Sequence, residues 1–395
     1  MTSVRPRPTA PWDVAGPPAE ASWVAAGQPG DAPGASTTEE ATGPRPHVGP
    51  AVSGPGDWPG TEPLEAQLTV LGDLTDVPDG VLGIPFLPVL AQRGPGADPV
   101  GRTAALLDQM PVELGPHGWR LADHGGIDAE RADAVRREDL DALAISASSY
   151  DGELAVPVVG PWTLSAALYL ARGDRVLSDH GAVRELTQSL ASGLRAHLAD
   201  VRRRAPWACL TVQVDESLVG QVAAGVLPTF SGYSRLRAVP GPRLVEGLEP
   251  VLREARAAGA RSVVHVGDAW VGIAPVALAG ADALGLDLGP WDEHGWSLVA
   301  RAVERGMGLW AGLPPARVSQ CAGVDVGSLV QAVAEPWHRI GLPASSLDRV
   351  VLTKARGPLR AAPQRATRGG DVDGARGDLR SLVRAALRLA ERAAG

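Results

Sequence analysis

The feature that most constrains the fold of this chain is an alternation of short apolar segments with amphipathic helices between about residues 48 and 360. The short segments are rich in β-branched residues and predict strands at 48–52, 112–114 (extending to 119–121), 154–159, 208–214, 262–266, 283–288, 307–312 and 349–353. Helical patterns, such as those at 179–204, 242–258, 296–304 and 326–340, separate the strands. Continuously apolar strands joined by helices are typical of a parallel sheet covered on both faces. Eight such units predict an α/β fold of the (β/α)8 TIM-barrel type.

A doubly wound open sheet is the alternative architecture for such a pattern. That fold is usually marked by a glycine-rich GxGxxG turn directly after an early strand. No turn of this form follows an early predicted strand, so the barrel is favoured.

The N-terminal segment differs from the rest of the chain. Residues 1–47 are rich in Pro and Gly and show neither a helical nor a strand period. The segment has too few apolar side chains for their burial to offset the conformational entropy that the chain would lose on ordering. We therefore predict a disordered extension over residues 1–47 and a barrel over residues 48–395.

Charge and cysteine content exclude several classes of function. The net charge of −8 argues against nucleic acid or an anionic membrane surface as the main partner. The two cysteines, Cys209 and Cys321, are too few for a disulfide scaffold, a zinc ribbon or an iron–sulfur cluster. No apolar run approaches the roughly 20 residues that span a bilayer, and no signal-peptide pattern follows the first residues. We expect a cytoplasmic protein that acts on a small molecule.

Polar residues follow the predicted strands at their carboxyl ends, where active sites of (β/α)8 barrels are built. They are Asp57, the segment Gly160-Pro161-Trp162-Thr163, the segment Asp215-Glu216-Ser217, His265, Asp287 and Lys354. Because the carboxyl ends of parallel strands meet at one face, we expect these residues to converge on a single site.

These segments resemble the catalytic barrel of the cobalamin-independent methionine synthases, and especially its short single-barrel relatives. The resemblance rests on Asp57-Trp58-Pro59-Gly60-Thr61, Arg93-Gly94-Pro95-Gly96-Ala97-Asp98, Gly160-Pro161-Trp162-Thr163-Leu164, Gln213-Val214-Asp215-Glu216, Val264-His265 and Gly280-Ala281-Asp282-Ala283 leading to Asp287. It extends over about residues 48–360 and implies methyl transfer from a folate-type donor to a homocysteine-type thiol.

The resemblance implies a zinc ion that keeps the substrate thiol ionised. His265 matches a family zinc ligand with a catalytic role, and Asp287 occupies the place of the acidic ligand. Gly267 and Arg356 stand where the family has its two zinc cysteines. We therefore predict weak zinc binding or none. Two alternatives stay open: Cys321 completes the metal site, or Arg356 replaces the metal by pairing with Asp287.

Other residues take further roles from the resemblance or from their chemistry. Asp215 and Glu216 match the residues that contact the substrate amino group, and Asp215 is also assigned a catalytic role beside His265, although it equally suits a helix N-cap. Asp57 replaces a serine common in the family and is assigned to substrate binding, although it also suits a cap of the following turn and its charge would disturb carboxylate recognition. Gly160 is assigned to substrate binding because it suggests a tight turn that lets a ligand approach the backbone.

Three interpretations rest on the residues themselves rather than on the resemblance. Lys354 is the only lysine and has the chemistry of a Schiff-base residue, for which nothing else in the sequence argues. Cys209 is predicted to be a small core residue. The remaining histidines are predicted to be surface groups: His117, His124, His180, His197, His294 and His338.

Two other functions remain open for such a chain. One is an inactive paralogue that binds an amino acid or a pterin without chemistry. The other is a decarboxylase-like enzyme of the uroporphyrinogen decarboxylase type, which needs several arginines at the barrel mouth. This sequence offers Arg93, Arg102 and Arg356 for that purpose.

Overall fold

The computed structural model describes residues 49–289, 291–320, 326–357 and 371–394. The predicted disordered extension, residues 1–47, and Cys321 lie outside these described residues. No helix within them is both long and apolar enough to cross a membrane.

Eight parallel strands form the central sheet, and its two edge strands meet so that the sheet closes on itself. The strands are β1 (Ala51–Val52), β2 (Leu82–Gly83), β5 (Glu153–Val159), β6 (Cys209–Asp215), β7 (Arg261–His265), β8 (Ala283–Asp287), β9 (Gly308–Leu313) and β10 (Val350–Lys354). Their hydrogen-bonded order is β2-β1-β10-β9-β8-β7-β6-β5. A parallel bridge between Phe86, just after β2, and Ala155 of β5 joins the two edges. The predicted (β/α)8 barrel is confirmed.

Helices surround this barrel. They are α1 (Pro63–Thr75), α2 (Pro99–Ala104), α3 (Ile127–Ser146), α4 (Pro161–Ala167), α5 (His180–Arg204), α6 (Val219–Ala224), α7 (Gly241–Ala257), α8 (Ile273–Leu278), α9 (Glu293–Glu304), α10 (Pro315–Gln320), α11 (Gly327–Arg339) and α12 (Val372–Ala394).

Helix α5 shows how the sequence determines such an element. The Asp179 carboxylate accepts hydrogen bonds from the backbone N–H groups of Gly181 and Ala182, which caps the helix N-terminus. Leu186, Leu190, Leu194 and Leu198 recur every four residues and are fully buried, so they form one apolar stripe.

One predicted barrel strand lies elsewhere. Residues 112–114 belong to β3 (Val112–Gly115), which pairs antiparallel with β4 (Gly118–Leu121) in a separate two-stranded hairpin. The second barrel strand is instead β2, which the sequence analysis missed. Pro85 and Pro88 follow β2 closely, and because proline lacks the N–H needed for a sheet ladder, the regular strand is only two residues long.

Strand alternation decides which side chains enter the barrel. Asp215 of β6 is in register with His265 of β7, which is in register with Gly285 of β8, and Gly285 with Trp310 of β9. Side chains two residues apart share a face, so Gln213 lies on the same face as Asp215. This face points into the barrel, where Gln213 contacts His265.

Two predictions about single residues are wrong. Cys209 is exposed rather than buried in the core, because it opens β6 at the amino end of the barrel. His197 is buried within α5, whereas the other five histidines assigned to the surface are exposed. His197 faces inward because it continues the apolar stripe of the helix, between Leu194 and Leu198.

Candidate active site at the carboxyl ends of the strands

An ion pair crosses the mouth of the barrel. Arg356 follows β10, which lies four strands away from β6 in the ring of eight, on the opposite side. Its Nη1 donates to Asp215 Oδ2 at 2.8 Å, and the two side chains are 14% and 2% exposed. The other carboxylate oxygen, Oδ1, accepts the Ser217 N–H at 2.9 Å. Both oxygens of Asp215 therefore have protein partners.

The charge state of Asp215 follows from these contacts. Burial alone would raise the pKa of the Asp215 carboxyl, but the Arg356 charge and the hydrogen bonds from Ser217 and Arg356 outweigh it and lower the pKa. Asp215 is thus a carboxylate with a built-in counter-ion. The alternative that Arg356 pairs with Asp287 is wrong, because its guanidinium reaches across the barrel to Asp215 instead. The N-cap alternative for Asp215 is also not met, since Leu218 is the capping residue of α6.

His265 ends β7 and is held by three neighbours inside the barrel. The Gln213 amide nitrogen lies 3.2 Å from the Gly54 carbonyl oxygen and 3.1 Å from His265 Nε2. Since that amide donates both hydrogens, Nε2 is the acceptor and the imidazole proton is assigned to Nδ1. The ring also packs edge-to-face on Trp310 at 5.7 Å between centroids. A Cβ at position 285 would come within 2.1 Å of His265 Nδ1, so Gly285 leaves the room for this ring.

Burial and the nearby Arg356 charge lower the pKa of His265 to about 3. The imidazole is therefore neutral at physiological pH.

Asp287 ends β8 next to the loop that carries Arg356. Its Oδ2 accepts the Gly357 N–H at 3.3 Å, and the backbone N–H of Arg356 is a second donor. Burial raises the pKa of Asp287, while these backbone donors lower it and the net direction is upward. Asp287 thus binds the backbone of the Arg356 loop, not its side chain.

Glu216 faces away from the barrel interior and binds the start of α4. Its Oε1 and Oε2 accept the N–H groups of Trp162 and Thr163 at 3.0 and 2.7 Å. Complete burial raises the pKa of Glu216 to about 8, against the opposing effect of these two N–H donors. A Cβ at position 160 would lie 2.4 Å from Glu216 Oε1. The space that Gly160 leaves is thus filled by Glu216 rather than left open to a ligand, contrary to the interpretation of the turn.

Asp57 lies on the opposite side of the mouth from Glu216, beyond the end of β1. Backbone hydrogen bonds on either side of it, Val89 N–H to Gly56 O at 2.8 Å and Trp58 N–H to Val89 O at 3.1 Å, fix its position. The residue is exposed, and no hydrogen bond or ion pair engages its carboxylate in the described part of the chain. The surrounding protein desolvates the group and raises its pKa, while the Arg356 charge lowers it.

Gly56, the residue before Asp57, lies close to Arg356 of the ion pair. It adopts a φ of +96°, and a Cβ there would approach Arg356 Nη2 to 3.1 Å and Pro157 Cβ to 3.0 Å. Any side chain at position 56 would therefore be strained and would press against the guanidinium.

Lys354 does not join this group. It is the last residue of β10, where alternation turns it outward, and its Nζ donates to Asp378 of α12 at 2.6 Å. Two of the three arginines considered for a decarboxylase are also engaged elsewhere, since Arg93 and Arg102 both pair with the buried Asp139, at 2.7 and 2.5 Å. Only Arg356 remains at the mouth.

Among the described residues, the groups at the barrel mouth do not fit a zinc–thiolate centre. Gly267 offers no donor and adopts a φ of +62°, which disfavours the cysteine of the family. Arg356, which the family resemblance aligns with the second cysteine, binds Asp215 through its guanidinium, and Nε2 of His265 is occupied by Gln213. Among the described residues, no group of three or more His, Cys, Asp or Glu side chains is placed to hold a metal ion.

Sequence reasoning missed two components of the site: the cross-barrel partner of Arg356 and the part played by Gln213. Gln213 was visible in the motif Gln213-Val214-Asp215-Glu216, and its spacing of two from Asp215 was the signal that both face the interior. The structure leaves Gln213 Oε1 buried and without a hydrogen-bond partner among the described residues.

A parallel (β/α)8 barrel with polar groups gathered at the carboxyl ends of its strands defines the architecture of many small-molecule enzymes. Among solved structures, the chain is similar to a B12-independent methionine synthase from Shewanella sp. W3-18-1, solved in complex with selenomethionine. The TM-score is 0.56 at 11% sequence identity, and the match covers 87% of this chain and 98% of that chain. This likeness shows a methionine-synthase-like fold.

A second structure, the carboxyl transferase domain of Rhizobium etli pyruvate carboxylase with 3-bromopyruvate, matches far less well. Its TM-score is 0.25 at 13% identity, over 64% of this chain and 44% of that chain. No family model matches the chain, and neither does any curated protein.

Proposed function

We propose that this protein binds a small amino acid of the homocysteine or methionine type at the carboxyl ends of the barrel strands, without a zinc–thiolate centre. The observation that carries the proposal is the buried Arg356–Asp215 ion pair beside the neutral His265. A buried charge pair at the mouth of a barrel supplies fixed polar groups that need no reorganisation when a polar ligand enters. The methionine-synthase-like fold supports the choice of ligand class.

Calorimetric titration of the full chain with L-methionine and with L-homocysteine tests whether the protein binds such an amino acid. Saturable binding with one site per chain is the expected result. Absence of binding by both amino acids at millimolar concentration contradicts the proposal.

Methyl transfer from a folate-type donor to a homocysteine-type thiol is the second candidate function. It is favoured by His265 and Asp287, which keep the positions that the family resemblance assigns to them. Without zinc the thiol keeps a pKa of about 8.5 and is mostly protonated at neutral pH, so we expect transfer to be very slow.

Elemental analysis after dialysis against a mild chelator, paired with a homocysteine methylation assay, separates the two candidates. We expect less than about 0.1 equivalent of zinc, because His265 and Asp287 are too few ligands to hold the ion. We also expect no turnover above background. Retention of one equivalent of zinc, or turnover that the change His265→Ala abolishes, would establish the second candidate. The variant Cys321→Ser then shows whether that cysteine completes the site.

A further inference from the structure

We propose that Asp57 is the specificity-determining residue of this site and that it binds the cationic nitrogen of the substrate. This inference rests on the proposed function and identifies the side chain that binds the amino group of the ligand. By resemblance, that role belongs to Asp215.

Asp215 is already engaged by partners within the protein. Its two oxygens accept hydrogen bonds from the Arg356 guanidinium and the Ser217 N–H, and the residue is 1% exposed. A ligand ammonium at Asp215 would have to displace Arg356, and separating a buried ion pair is strongly unfavourable because it leaves a buried charge without its counter-ion. Asp215 is therefore the counter-ion of Arg356.

Among the acidic side chains at the mouth, Asp57 is the one whose carboxylate has neither a hydrogen bond nor an ion pair within the described residues. Arg356 is neutralised by Asp215, and Lys354 is neutralised by Asp378 on the outside of the barrel. Asp57 lies one residue after Gly56, where an added Cβ would come within 3.1 Å of Arg356 Nη2. A carboxylate that is exposed to a ligand, fixed through its backbone and lacking a partner among the described residues attracts a cation.

An independent, unsatisfied hydrogen-bond acceptor lies in the same barrel interior. Gln213 is fully buried, its amide nitrogen binds the Gly54 carbonyl three residues before Asp57, and its Oε1 has no partner among the described residues. A buried acceptor without a donor is costly. An ammonium or amide donor satisfies such acceptors, whereas a carboxylate ligand would meet like charge at Asp57.

The test uses three probes that share a thioether and differ in their charged groups. L-Methionine carries an amine and a carboxylate, 3-(methylthio)propylamine carries only the amine, and 4-(methylthio)butanoate carries only the carboxylate. Affinities are measured by titration calorimetry with the full-length protein and with the variants Asp57→Asn and Asp57→Glu. Asp79→Asn is the matched control, because Asp79 is exposed just before β2, at the amino end of the barrel.

The two probes with an amine are expected to bind the unchanged protein, and the carboxylate-only probe at least about tenfold more weakly. Asp57→Asn is expected to weaken both amines about tenfold or more, as for a lost charge-assisted hydrogen bond. Asp57→Glu restores part of the affinity, and Asp79→Asn changes nothing. Because the apo Asp57→Asn protein should unfold at an unchanged temperature, a loss of affinity reports the contact rather than the fold.

Two outcomes overturn the inference while leaving the proposed function standing. One is an unchanged affinity of Asp57→Asn for both amines. The other is tight binding of the carboxylate-only probe. Failure of every probe to bind the unchanged protein contradicts the proposed function, and the inference falls with it.

Discussion

The two sides of the barrel mouth are built differently. On the β6 side, the carboxylates of Asp215 and Glu216 are buried and each oxygen has a protein partner. On the β1 side, the Asp57 carboxylate is exposed and has none within the described residues. The comparison separates acidic residues that maintain the site from one that is available to a ligand. Removing the first kind should cost stability, and removing the second kind should cost binding.

The largest expected effect comes from breaking the ion pair. Arg356→Met leaves Asp215 buried without its counter-ion, and we expect the free energy of unfolding to fall by about 3–5 kcal/mol. Urea denaturation at pH 7 measures this change. The double variant Arg356→Met with Asp215→Asn removes both charges and should recover a large part of the loss. If the single variant costs less than about 1 kcal/mol, the upper limit for most exposed pairs, the pair does not stabilise the fold.

A smaller effect is expected at Glu216. In Glu216→Gln one of the two acceptors becomes an NH2 group that faces a backbone N–H, so we expect a loss of about 1–3 kcal/mol. Glu246→Gln is the matched control, since Glu246 forms an exposed pair with Arg243 and should change stability by less than about 0.5 kcal/mol. Equal losses in the two variants would contradict the assignment of Glu216 as the residue that holds the start of α4.

The stability contribution of Glu216 should also depend on pH. Its folded pKa of about 8 lies above the ordinary value of 4.5, so the folded protein holds this proton more tightly than the unfolded chain does. The contribution is complete below pH 4.5 and is lost as pH rises through about 8. The difference in unfolding free energy between the unchanged protein and Glu216→Gln should therefore decrease between pH 5 and pH 8.5. A difference that grows over this interval would show that the two N–H donors hold the ionised form.

These contrasts show where the sequence was sufficient and where it was not. The strand–helix alternation predicted the barrel, and the strand ends located Asp57, Asp215, His265 and Asp287 because parallel strands end at one face. The sequence analysis expected both Asp215 and Glu216 to contact the substrate, whereas strand alternation places Asp215 inside the barrel and Glu216 outside it.

The remaining features depend on contacts that local patterns do not encode. Arg356 and Asp215 are 141 positions apart, and their pairing depends on which strands lie opposite one another in the closed ring. Strand β2 was not predicted, because two prolines interrupt the apolar pattern there. The apolar residues of the β3–β4 hairpin were instead predicted to form a barrel strand. Both errors arise because a short apolar run does not indicate its partner strand.

The smallest stability effect, and the sharpest contrast with Arg356, is expected at Asp57. This carboxylate has no partner among the described residues to lose, and its raised pKa means that ionising it costs more free energy in the folded protein than in the unfolded chain. Asp57→Asn should therefore leave the free energy of unfolding unchanged or raise it by up to about 0.5 kcal/mol. Urea denaturation at pH 7, beside Asp79→Asn as the exposed control, measures this difference. A loss above about 1 kcal/mol would exceed the range for an unpartnered surface residue and would place Asp57 with Asp215 and Glu216 among the residues that hold the site together. Unchanged stability together with weakened amine binding is the pattern of a residue kept for its ligand, because functional groups are commonly retained at no benefit to folding.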